Sequence, residues 1–274
     1  MKTVLVATDF SENAKVALQL AREIAIRYQA KLLLVNAFHP PVIDPNMPID
    51  ISVMMSQEAE KVAQEQLALI VKEYQQTGVN CEGIVRVGAA ADVLLDEIKT
   101  QKPILTLMGR TGTGGWLDKL FGSVAATVIA QTDSPILVIP PNVEKLEINQ
   151  ILYATELEHV EEDALDFVFD FAEYLGAKVT LLKVKEDFQV DVFSDEAFIE
   201  AIGQRYAGKP YTLKTIEATS VTSGLQHYAD EHDADLLVMA TRKRDWLAKL
   251  INPSISKEMV LSTHTPLLVC HIED

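Results

Sequence analysis

Gly109-Arg-Thr-Gly112, nine intervening residues and then Gly122-Ser123 make up the stretch of this chain whose residue types best suit chemistry. An apolar run, Ile104–Met108, precedes it and a helix-like stretch, Val124–Ala130, follows. Glycines let a backbone approach an anion closely and adopt positive φ. The unpaired N–H groups of the following helix's first turn then point at that anion, and the Ser123 hydroxyl adds a donor. Strand, glycine-bearing loop and helix in this order suit a phosphate chain.

The elements that must hold this loop are readable because the chain is written twice. Thr3-Val-Leu-Val-Ala-Thr-Asp9 parallels Gln150-Ile-Leu-Tyr-Ala-Thr-Glu156, and Ala30-Lys-Leu-Leu-Leu-Val parallels Ala177-Lys-Val-Thr-Leu-Leu, both at an offset of 147. Asp133-Ser-Pro135-Ile-Leu-Val parallels His264-Thr-Pro266-Leu-Leu-Val at an offset of 131. The second copy therefore lacks about sixteen residues, assigned to the loop and helix after its second strand. A period this long marks a duplicated domain and not a solenoid. Residues 1–141 form the first domain and 146–274 the second, with the seam at Pro140-Pro141-Asn142.

Strands are predicted in the first copy near Thr3–Ala7, Leu32–Asn36, Gly83–Val87, Ile104–Met108 and Ile136–Ile139. Helices are predicted near Glu12–Tyr28, Ser52–Gln76, Ala89–Lys99 and Ser123–Gln131, the first with an apolar stripe (Ala14, Ala17, Leu18, Ala21, Ala25) and Ser11 as N-cap. Second-copy strands are predicted near Ile148–Ala154, Val179–Val184, Tyr211–Ile216, Leu236–Met239 and Leu267–Cys270. Continuously apolar strands joined by crossover helices specify an α/β fold with a parallel sheet covered on both faces. Such sheets place ligands at strand carboxyl ends, where the topology reverses. Asp9, the Asn36-Ala37 corner and Gly109 all fall at such ends.

The formal net charge of −16 disfavours nucleic acid and anionic membranes as partners, so phosphate must be held by local donors. Two distant cysteines, Cys81 and Cys270, suggest neither a disulfide framework nor a zinc site, and the six histidines show no metal-ligand spacing. With no run long enough for a membrane span or leader, the expected location is the cytoplasm.

The first strand is followed by Asp9-Phe-Ser-Glu-Asn, without the glycines of a dinucleotide fingerprint, and Gly-Lys-Ser/Thr occurs nowhere. The arrangement G-x2-G-x9-G-[S/T] instead resembles the ATP-binding signature of the universal stress protein family. The strand ending Ala-Thr-Asp9-Phe-Ser, the strand Leu-Leu-Leu-Val-Asn-Ala and the closing Asp133-Ser-Pro135-Ile-Leu-Val-Ile-Pro are similar to that family too. The resemblance covers the whole chain. It implies two tandem Rossmann-like (adenine nucleotide alpha hydrolase-like) domains, each a five-stranded parallel sheet, in a stress-response or regulatory protein. It implies ATP, with or without magnesium, as ligand. Gly109, Gly112, Gly122, Ser123 and Val124 would hold the phosphates, with Met108 and Arg110 alongside. Asp9, with Ala7, Thr8 and Ala37, would meet ribose and adenine; an aspartate at this place also serves to cap the next helix.

In the second copy Ala240 stands opposite Gly109, Lys243 opposite Gly112 and Pro253-Ser254 opposite Gly122-Ser123, and no glycine follows Gly224. One competent nucleotide site per chain is expected, in the first half. Slow ATP hydrolysis or phosphotransfer is an alternative activity, with no catalytic residue assigned. A nucleotide-independent ligand- or protein-binding module, with a less polar ligand in the second pocket, is another. The two halves are expected to pair as a pseudo-symmetric dimer through Ile136–Ile139 and Leu267–Cys270; a homodimer and an unidentified protein partner remain open.

Overall fold

The structure, a computed structural model, describes residues 1–38, 49–109, 123–141, 143, 147–157, 161–186, 195–241 and 265–272. Two compact units emerge, the first from the described residues of 1–109 and 123–139, the second from those beyond 139.

The first unit runs β1 (Thr3–Ala7), α1 (Glu12–Arg27), β2 (Lys31–Phe38), α2 (Ile49–Gln76), β3 (Cys81–Val87), α3 (Ala90–Gln101), β4 (Leu105–Gly109), α4 (Ser123–Gln131) and β5 (Ile136–Ile139). Its strand order is β3-β2-β1-β4-β5 and its pairs are parallel. Val4, Leu5 and Val6, and likewise Leu32 through Val35, are buried without alternation, so both faces of the sheet are covered. Each such leucine or valine contributes about 1.5–3 kcal/mol by leaving water.

Local rules set the helix bounds. Ser11 caps α1, its hydroxyl accepting the Ala14 N–H at 3.3 Å, and the stripe Ala14, Ala17, Leu18, Ala21 and Ala25 is buried with Ile24. The helix α2 begins at Ile49, ahead of the predicted Ser52; Ile49, Ile51, Val53 and Met54 are exposed, so the added turn has no run of buried apolar residues to mark it in the sequence. Gly83 lets α2 lie close on β3: a Cβ there would come within 2.8 Å of Val71 and 2.9 Å of Leu67.

The second unit runs β6 (Gln150–Ala154), α5 (Glu162–Leu175), β7 (Lys178–Glu186), α6 (Glu196–Arg205), β8 (Tyr211–Ala218), α7 (Val221–Glu231), β9 (Leu236–Thr241) and β10 (Leu267–His271). Its order is β10-β9-β6-β7-β8, again parallel. Leu32 faces Cys81 in the first sheet, whereas Val179, its repeat, faces Tyr211 in the second, so the shortening falls between these strands. There α6 has 10 residues where α2 has 28. Gly176, at φ 72°, ends α5 in the left-handed conformation.

The short α6 is tied to α5 by charge and rings. Arg205 donates from Nε to Asp166 Oδ1 at 3.0 Å, from Nη2 to Asp166 Oδ2, and from Nη1 to Glu162 Oε2 at 2.9 Å. Tyr206 donates to Asp166 Oδ1 at 2.8 Å and stacks on Phe169 with centroids 4.1 Å apart. Cys81 and Cys270 are buried free thiols, each pushed up to about 12 by desolvation, and so are inert as nucleophiles.

The hydrogen bonds from Arg205 hold the Asp166 carboxyl below the usual aspartate range. Its contribution to stability is therefore complete above the unfolded-chain value of about 3.9 and disappears as pH falls through the lower folded value. Asp166→Asn should cost up to about 1 kcal/mol at pH 7, this being a half-exposed pair. Urea unfolding at a series of pH values should show that difference closing below about pH 4.

Candidate functional site

The central strand β1 lies between β2 and β4, so the chain's path across the first sheet reverses at β1 and β4. Their carboxyl ends carry Ala7, Thr8 and Asp9 on one side and Met108 and Gly109 on the other; Val6 pairs with Leu107, which brings Thr8 level with Gly109. Ala37, at the end of β2, flanks the same edge, and α4 starts at Ser123 as the sequence predicts, with Val124 half-buried. Arg110, Gly112 and Gly122 lie outside the described residues, as does the side chain of Ser123.

The turn leaving β1 is held by its own polar groups. The Thr8 N–H donates to the Val35 carbonyl at 2.9 Å, extending the sheet by one bond. The buried Thr8 hydroxyl accepts the Phe10 N–H at 3.1 Å, and the buried Asn36 amide donates to the Thr8 carbonyl at 2.8 Å. Phe10 sits at φ 64°, unusual for a bulky residue, which redirects the chain towards α1. Asp9 is exposed; its Oδ1 accepts the Ser11 N–H at 3.0 Å. This is the helix-side role weighed for Asp9, and it leaves Oδ2 without a partner among the described residues. The Asp9 N–H likewise has no acceptor among them. Thr8 and Met108 are buried, so they frame the edge from beneath.

Gly109 has a packing reason independent of any ligand. A Cβ there would lie 3.1 Å from the carbonyl carbon and oxygen of Asn13 and 3.2 Å from the Ala14 nitrogen, all backbone of α1's first turn. The Asn36-Ala37 corner, which the sequence places at a strand end, is tied to the β1 turn by the Asn36 amide, a polar group ending the run Leu-Leu-Leu-Val.

The second unit repeats the turn at the 147-residue offset. The Thr155 N–H reaches the Leu182 carbonyl at 3.0 Å, the Thr155 hydroxyl accepts the Leu157 N–H at 2.9 Å, and Leu157 has φ 61°. Around it, however, stand two buried charges, Glu161 and Lys183. Among the described residues these strand ends therefore carry charge. A cavity of about 360 Å³ lies elsewhere in this unit, between α5 and α6, its lining including Leu165, Phe198, Ile202 and Tyr206 with the charged Glu162 and Arg205. Among the described residues no group of three or more His, Cys, Asp or Glu is placed to hold a metal ion, and no helix is long and apolar enough to cross a membrane.

Two sheets built on one plan, with the same threonine turn at each switch point, agree with a family match over residues 1–140 and again over 147–271, that of the Universal stress protein family. The chain belongs to the universal stress protein family. A Thermus aquaticus universal stress protein, encoded in the QAH/OAS sulfhydrylase 3' region, is 31% identical over 141 residues, 50% of this chain and 98% of its own length. The universal stress protein Rv2623 of Mycobacterium tuberculosis is 21% identical over 286 residues, spanning 97% of this chain and 95% of its own. The crystal structure of a universal stress protein from Archaeoglobus fulgidus superposes with a TM-score of 0.73 at 19% identity, covering 99% of this chain and 97% of that one. Full-length matches of this kind make the chain a tandem universal stress protein.

Gly109→Ala should destabilise the first unit by about 1–3 kcal/mol, as overpacking against fixed backbone does. Chemical denaturation without any nucleotide checks this. A loss seen only when nucleotide is present would assign Gly109 to the ligand alone.

Proposed function

We propose that this tandem universal stress protein is an ATP-responsive regulator that holds one adenine nucleotide, with or without magnesium, in its first unit. The observation that supports this most directly is the unfilled donor at the switch point: among the described residues the Asp9 N–H has no acceptor and only one oxygen of the Asp9 carboxylate is engaged. Asp9, Ala7, Thr8 and Ala37 form the nucleoside side of the site. Met108, Gly109, Arg110, Gly112, Gly122, Ser123 and Val124 form the phosphate side. Main-chain N–H groups and a helix N-terminus suit phosphate without a basic surface, consistent with a chain of net charge −16.

Regulation follows from linkage. A ligand that binds only the folded state stabilises it by RT ln(1 + [L]/Kd), about 2.7 kcal/mol at a hundredfold excess over Kd. Occupancy thereby favours one conformation or assembly available to a partner protein.

Magnesium-ATP at millimolar concentration should raise the melting temperature, and Gly122→Asp should abolish the rise while leaving the ligand-free melt close to the parent's. An unmoved melting curve together with an absence of calorimetric heat would end this reading.

A further inference from the structure

The two threonine turns differ in what closes them, and we infer that Glu161 and Lys183 lock the second unit's switch point from within, excluding a nucleoside there. Positions correspond through the sheet register: Thr3 faces Lys31 as Gln150 faces Lys178, so Thr155 repeats Thr8, Glu156 repeats Asp9 and Lys183 repeats Asn36. At the same offset Glu161 stands where the first unit has Ala14.

In the first unit the amide after the threonine, that of Asp9, finds no acceptor among the described residues. In the second, the Glu156 N–H donates to Glu161 Oε1 at 2.9 Å and the Thr155 hydroxyl to Glu161 Oε2 at 2.8 Å. Both carboxylate oxygens are used, and Glu161 is only 4% exposed. The side chain thus sits as an internal anion on the donor that the first unit leaves open. Glu161 stands at the N-cap of α5, directly before its first residue Glu162, with helical backbone at φ −85° and ψ −2°.

Lys183 completes the substitution. Asn36 spends its amide on the Thr8 carbonyl, whereas Lys183, 6% exposed, brings Nζ to Asp195 Oδ1 at 2.6 Å beside the start of α6. Buried charges stay only where they are paired or hydrogen-bonded, and both of these are. A ribose hydroxyl or an adenine ring reaching this edge would have to displace a carboxylate already making charge-assisted bonds. The exclusion is therefore independent of the missing phosphate-loop glycines.

Residue-resolved hydrogen exchange on the full nucleotide-free chain tests the lock. After correction for intrinsic rates, the Glu156 amide should exchange at least about tenfold more slowly than the Asp9 amide. In Glu161→Ala that protection should disappear while the Leu152 amide, inside β6, stays protected. Equal rates for Asp9 and Glu156 in the unsubstituted chain would refute the lock, and this comparison needs no variant to fold.

The exclusion claim rests on reading the first unit as a nucleotide site, and adenosine, which lacks phosphate, is the probe. The unsubstituted chain should bind one adenosine and Glu161→Ala/Lys183→Asn two. A double variant that keeps its exchange-protected β6 yet still binds one would overturn the exclusion. Failure of the unsubstituted chain to bind either adenosine or magnesium-ATP would instead overturn the nucleotide reading, with the exchange rates alone deciding the lock.

Discussion

A parallel sheet must release its central strand into a helix without stranding backbone polar groups, and both units meet this demand with one threonine. Its N–H adds a last bond to the neighbouring strand, to Val35 or to Leu182, and its hydroxyl accepts the amide two residues on. The chain then turns through a left-handed residue, Phe10 at 64° or Leu157 at 61°. Left-handed backbone costs a residue with a Cβ roughly 1–2 kcal/mol, which the hydroxyl bond and the burial of Leu157 help offset. The amide immediately after the threonine takes no part in these bonds, and what it meets differs between the copies: Glu161 in the second, no acceptor among the described residues in the first.

Several differences between the copies fall near that amide. Ala14 corresponds to Glu161, Asn36 to Lys183 and Gly109 to Ala240, while α2 corresponds to the much shorter α6. These differences are physically coupled. A carboxylate as buried as Glu161 is tolerated only with donors on both oxygens, and it has them in Glu156 and Thr155. A lysine as buried as Lys183 needs an anion, and Asp195 stands beside the start of the shortened helix. The shortened helix α6 and the internal charge meet at one place, since Asp195, which pairs with Lys183, directly precedes α6.

The sheet was legible because its core strands are apolar without interruption and occur twice, at offsets of 147 and then 131; α1 was legible from its stripe and the Ser11 cap. The start of α2 was not, since Ile49 and Ile51 are exposed and the apolar pattern there reports no buried face. Gly109 reads as a loop glycine in sequence, while the backbone of Asn13 and Ala14 shows it to be a point of close packing as well. Glu161 and Lys183 were the least legible. An acid before a helix reads as a favourable partner for the helix dipole, and a lysine near a strand end reads as solvated. Only the register and the burial show that both point inward.

Net charge bears on the two units differently. A formal −16 opposes the approach of a polyphosphate, but ions screen that field beyond about 8 Å at physiological salt. Repulsion of this range lowers the rate of encounter more than it weakens a bound anion whose partners are amides at hydrogen-bond distance. An anion held in this way tolerates an acidic protein surface, because the donors act at contact. In the second unit the same acidity has moved inside: Glu161 already supplies the negative charge that the turn's donors accommodate, and no external anion is required to satisfy them.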